Sequence, residues 1–246
     1  RNYIAGLNAG AAIISGGTDN VLIGENAGTA ITTGDNNVAI GNYALDAATT
    51  CFWNVAVGNS ALSANVSSHY NVAVGQSALR LNTAANNTAV GYGASENNVN
   101  GDNNVAVGRS AMATNVSGSA NAAVGFDSLK DNTTGANNTA LGFYSLDNNT
   151  TAGDNTAIGS YALHFNTTGT SNTAVGRGAL DANTTATDNT AVGKDALGAN
   201  TTGTRNAAVG KDALGTATTA TDNVAIGYNV LRSATGARNT AVGSSA

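Results

Sequence analysis

Two histidines, His69 and His164, one cysteine, Cys51, and fifteen carboxylates are the side chains with reactive chemistry to offer. Nucleophilic catalysis needs a Ser or Cys beside a His, with a third group orienting the His. Here Ser and Asp are scattered everywhere while His is nearly absent, so no triad stands out. A metal site needs several ligands at short spacings, and neither His has such neighbours in sequence. Asp154, Asp188 and Asp222 form one regular series, each just before an Asn. They could ring a cation, but the Gly-Gly-x-Gly-x-Asp word of calcium-binding β-rolls is missing; solvated turn carboxylates are the simpler expectation. Gly91-Tyr92-Gly93 and Gly176-Arg177-Gly178 lack the third Gly and the following helix of a dinucleotide loop. No catalytic set, cofactor motif or metal-ligand set emerges, and the expectation is a protein that is not an enzyme.

What must position any functional group is a repeat. The word Asn37-Val38-Ala39-Ile40-Gly41 returns as Asn54 to Gly58, Asn71 to Gly75, Asn104 to Gly108 and Asn155 to Gly159. It ends at Asn239-Thr240-Ala241-Val242-Gly243, and the step between anchor glycines is 17 residues almost throughout. The first coil, 1–23, is divergent; residues 24–246 are regular, so the whole chain reads as one repeat domain. Seventeen residues are too few for a βαβ unit. Thr, Val and Ile before the Gly favour strand. Two short strands and two turns per unit are expected, stacked coil on coil as a parallel β-solenoid at about 4.8 Å per step. The chain contains no Pro, as expected where every strand donates to a ladder.

Composition narrows the function classes. Charged residues make up 10%, against about 25% in an average domain. Ten Lys+Arg against fifteen Asp+Glu give a net charge of −5, with no basic stripe; a nucleic-acid partner is not expected. No apolar run approaches the roughly 20 residues that cross a bilayer as a helix, so membrane insertion is not expected either. A single Cys excludes an internal disulfide framework.

The columns of the stack each have a physical role. An Asn precedes the strand fourteen times, among them Asn37, Asn54, Asn71, Asn104 and Asn155. Asn tolerates the left-handed conformation of a tight corner, and its amide can bond the next Asn in the stack. The anchor glycines, among them Gly41, Gly58, Gly75, Gly108 and Gly159, are expected where a Cβ would clash or φ is positive. The residue before each anchor Gly from Ile23 onward is Val, Ile or Leu; the one before that is Ala, except at Leu22. Neighbours along a strand point to opposite faces, so both faces are apolar. One face fills the interior with the Leu series (Leu45, Leu62, Leu163, Leu180); the other needs a cover, and the simplest is a second copy of the chain. The pattern leaves open which face turns inward.

The repeated word Asn-x-Ala-[Val/Ile]-Gly-x-x-[Ala/Ser]-Leu resembles the head repeats of trimeric autotransporter adhesins of the YadA type. It is still more similar to related repeats in bacteriophage tail fibres. The resemblance covers essentially the whole chain, although the adhesin-head repeat is shorter than the unit here, which adds an Asn-Thr-Thr loop. It implies a left-handed β-roll, a homotrimer about a common axis, and a non-enzymatic extracellular fibre, on a bacterial surface or a virion tail, that binds a receptor or matrix. The ending three residues after an anchor Gly, with no polar cap, is read as a segment of a longer fibre.

The variable positions are where a partner would be met. The two residues after the anchor Gly change freely, and Tyr43, Tyr92, Phe126, Phe143, Tyr144, Tyr161 and Tyr228 all fall there. Aromatic rings beside Asn and Asp suit contact with a cell-surface glycan, or with a protein receptor; equally, they pack across neighbouring coils. Cys51-Phe52-Trp53, holding the one Trp, is the most apolar corner, either an anchor for another chain or ligand or a local plug. Asn132, Asn149, Asn166, Asn183 and Asn200 are each followed by two Thr, which are formal glycosylation sequons. The Thr series is interrupted at Val66, Val99 and Val116. An alternative function follows from it: a monomeric solenoid binding ice or a flat polysaccharide through Thr and aromatic ladders.

Overall fold

A computed structural model describes residues 1–246. The chain is all-β and divides into two compact units, 1–120 and 121–246. The first holds seven strands of three residues, β1 (Tyr3–Ala5) to β7 (Val105–Val107); the second holds eight, β8 (Ala122–Val124) to β15 (Thr240–Val242). Within each unit every strand pairs in parallel with the next in sequence, so each unit is a parallel β-solenoid. Register follows the repeat. Between β10 (Thr156–Ile158) and β11 (Thr173–Val175), Thr156 meets Thr173, Ala157 meets Ala174 and Ile158 meets Val175.

The strand settles which face turns inward. The middle Ala of each triplet is buried, as at Ala157, Ala174 and Ala191. The flanking Thr or Val and the Val or Ile before the Gly lie half-buried or exposed. A methyl group is all the thin interior admits beside the Leu column, and Leu163, Leu180 and Leu197 are fully buried.

The expected second strand is absent. The Ala-Leu piece lies in a run of turns between Ser160 and Phe165. Tyr161 and Leu163 both take left-handed backbone, at φ 59° and 51°. Such a conformation costs a Leu about 1–2 kcal/mol. Full burial of its side chain returns roughly 1.5–3 kcal/mol, and the stack supplies hydrogen bonds besides. The Leu163 N–H donates to the Ala179 carbonyl of the next coil at 3.0 Å, while the Tyr161 N–H donates to the Phe143 carbonyl of the preceding one at 3.0 Å. Alternating bonds in both directions hold the turns in register as the ladder holds the strands.

The anchor Gly behaves as expected. Gly159 has φ 130°, and a Cβ there would lie 2.7 Å from the carbonyl of Gly176. The Asn column needs a correction. The left-handed corner residue is the one before it, for example Asn36, Asp154 and Ser171 at φ 57°, 61° and 58°. The Asn itself is buried as a hydrogen-bonding hub. The Asn155 Nδ2 donates to the carbonyls of Gly169 (2.9 Å) and Gly153 (3.1 Å), and its Oδ1 accepts the Asn172 N–H (3.0 Å) and Nδ2 (3.2 Å). Asn37, Asn54 and Asn71 repeat the pattern in the first unit.

Candidate functional site

Three surfaces have more than a structural part available to them. The first is the outer strand face. Its two columns, Thr or Val at the first strand position and Val, Ile or Leu at the third, flank the buried Ala. Ile40, Val90, Leu141, Val209 and Ile226 are exposed there. Neighbouring coils repeat this pair without a charged side chain in either column.

The second is the Asn-Thr-Thr turn. Its Asn residues form another buried ladder: Asn166 Nδ2 donates to Asn149 Oδ1 and to the Gly169 carbonyl, both at 2.9 Å, and accepts Asn183 Nδ2 at 2.7 Å. Fully buried and occupied, these amides are not presented to a glycosylating enzyme. The ladder is not broken where Thr gives way to Val99 and Val116, because Asn98 and Asn115 keep the amide contact. The first Thr of each pair is used internally, as when the Thr167 Oγ1–H donates to the Thr184 carbonyl at 3.0 Å. The second, at Thr151, Thr168, Thr185 and Thr202, is exposed.

The third is aromatic, and it forms two clusters. In the first unit Phe52 stacks on His69 (centroids 3.4 Å apart), whose Nδ1 accepts the Phe52 N–H at 3.2 Å. Trp53 stacks on Tyr70 at 5.2 Å, with Trp53 52% exposed. Trp53 and Tyr70 occupy the left-handed corner column, at φ 55° and 61°, where most other coils place Asn, Asp or Ser; such strain in a bulky side chain marks a place worth attention. Cys51 is buried beside them, and burial pushes its thiol up to about 11, so it is not a reactive nucleophile.

In the second unit Phe126 stacks on Phe143 (5.5 Å, 22°) and Tyr144 on Tyr161 (5.7 Å, 10°). Phe143 and Tyr144 meet edge to face at 4.4 Å, and His164 joins Tyr161 at 5.2 Å and Phe165 at 4.2 Å. His164 is not a surface residue, as the sequence implied, but sits between two carboxylates. Its Nε2 is 3.8 Å from Asp147 Oδ2 and its Nδ1 is 3.5 Å from Asp181 Oδ1. Burial pushes the Asp147 carboxyl up to about 6, against the pull of Lys130, and raises Asp181 as well.

Of the expected contact residues, Phe126, Phe143, Tyr144 and Tyr161 come together, and Trp53 belongs to the other cluster. Tyr43 and Tyr92 are exposed away from both, and Tyr228 lies under Lys211 Nζ at 5.3 Å. Tyr70, His164, Phe165, Asp147 and Asp181 were missed. Phe165 and His164 lie several residues past the variable pair, and only the left-handed turn at Leu163 brings them back beside it. Asp154, Asp188 and Asp222 share one column but on alternate coils, about 10 Å apart, with Asp222 paired to Arg205 at 2.6 Å; they do not converge on one point. No family model, curated protein or solved structure matches the chain.

Proposed function

We propose that the chain is a non-enzymatic segment of an extracellular adhesive or structural fibre, on a virion tail or a bacterial surface, that works as a homotrimer. The outer strand face carries this proposal. Two uncharged columns, half-exposed and repeated coil after coil, are a surface that water disfavours and a second copy would cover. Repetition also serves adhesion: identical stripes on several chains multiply weak contacts into avidity. Light scattering tests it. A mass of about 72 kDa, three chains of 24.1 kDa, is expected. Placing a charge on the face, as in Ile158→Asp with Val175→Asp, is expected to dissociate the assembly; a monomer at micromolar concentration for the unaltered chain sinks the proposal.

A monomeric solenoid binding ice or a crystalline polysaccharide is the second function that an observation favours. The exposed Thr at 151, 168, 185 and 202 repeats once per coil beside a regular surface. Thermal hysteresis from a single-chain species is its test.

A further inference from the structure

The second-unit aromatic cluster holds two features that cross-coil packing does not require. First, its rings are presented rather than tucked away: Phe143 is 44% and Phe165 49% exposed. Second, a buried acceptor beside them is unused. Asp147 is only 8% exposed, yet its Oδ1 has no hydrogen-bond partner. A buried carboxylate oxygen left without a donor is costly, and a ligand donor would relieve it. Its other oxygen faces His164, which touches Tyr144 and Tyr161, so the acceptor is continuous with the rings.

The shape and charge select the ligand. No concave pocket opens at the cluster, which excludes an enclosed small molecule and favours a chain laid across the surface. The rings come from three successive coils, spaced at about 4.8 Å, close to the length of one hexose in a β-linked chain. Ring faces suit the C–H faces of sugars. Asp127, Asp147 and Asp181 accept hydroxyl hydrogens and repel uronate or sialate groups.

We propose that Phe126, Phe143, Tyr144, Tyr161 and Phe165, with Asp147 as the buried acceptor, form a binding platform for a neutral β-linked hexose chain. The inference rests on the reading of the chain as a surface-binding segment and names what it binds.

The test is calorimetric titration of the full chain with cellohexaose and chitohexaose, with an oligogalacturonate as the acidic control. Binding of at least one neutral hexamer at submillimolar concentration is expected, with none of the acidic one. Phe143→Ala and Tyr161→Ala should each weaken it roughly tenfold, while Trp53→Ala, in the other unit, leaves it unchanged. Circular dichroism of each variant separates loss of binding from loss of fold, and Tyr161→Phe, which retains the ring, is expected to restore most of the affinity. No binding of either neutral hexamer at millimolar concentration overturns the proposal, as does binding that the two ring deletions do not alter or that Trp53→Ala removes. The mass measurement is independent. A monomer that binds the hexamers keeps this site and refutes the trimer; a trimer that does not bind them does the reverse.

Discussion

The two amide ladders run through the same coils, use the same side chain and are both buried, yet they differ in what depends on them. In the ladder before the strand, each Oδ1 accepts a main-chain N–H as well as an amide, as Asn155 does from Asn172. In the far-turn ladder the links between coils are made by side-chain amides, as between Asn183 and Asn166. The first therefore satisfies the backbone at the entry to each strand and runs without a gap from Asn20 to Asn104 and from Asn121 to Asn239. The second ends at Asn200, where Ala217 takes the next place. The cost of that ending is visible, since the buried Asn200 Oδ1 has no partner. Side-chain ladders can stop where one acceptor is sacrificed; a ladder that carries main-chain donors cannot stop as cheaply.

The largest disturbance would strike both ladders together. Gly159→Ala puts a Cβ 2.7 Å from the Gly176 carbonyl at φ 130°, prying two coils apart. A loss of roughly 3 kcal/mol or more is expected in urea unfolding. Asn155→Ala comes next, stranding the buried Asn172 N–H and a carbonyl, for about 3 kcal/mol. Asn166→Ala should cost less, roughly 1–2 kcal/mol, because Gly169 keeps its bond from Asn155. Equal losses for these two variants would erase the distinction between the ladders.

Neither ladder titrates, so a pH dependence isolates the carboxylates beside them. Asp147 is raised from 3.8 to about 6 by burial. Between those values the folded protein keeps a proton that the unfolded chain releases, so stability falls as pH rises from 4 to 6 and stays lowered above it. The fall is on the order of 2 kcal/mol. Thermal unfolding across this range should show it, and Asp147→Asn should flatten the curve and raise stability at pH 8. The smallest effect is a gain. Ala217→Asn supplies the missing donor to Asn200 and should add about 1 kcal/mol; a destabilised variant would mean that the far-turn ladder ends at Asn200 for want of space.

Much of the fold was legible in the sequence because a stack forces every coil to repeat its solution. The period, the Asn hubs, the anchor Gly and the buried Leu all came from spacing and residue type. The Ala-Leu segment did not. An Ala-Leu pair looks equally at home in a strand, and a left-handed Leu is too costly in isolation to be expected; only bonds to two neighbouring coils make it favourable. The inward face was hidden because Ala and Val are both apolar, and the choice rests on volume. Of the candidate platform, the rings after the Gly were readable as a variable stripe. Phe165, His164 and the carboxylates were not, since their proximity is made by that same unexpected turn.

The amides also have a sense of direction. In both ladders each NH2 group points to the lower-numbered coil and each oxygen to the higher, as in Asn37 to Asn20 and Asn166 to Asn149. Their dipoles are thus in series, like magnets strung head to tail, and each unit is electrically polar along its stack as a helix is along its axis. Its two faces are chemically unlike: one offers donors and the other acceptors. A coil arriving at the acceptor face must present amide hydrogens, and one arriving at the donor face must present oxygens. Docking upside down would set like poles against each other, so growth, folding and any end-to-end joining share one permitted polarity.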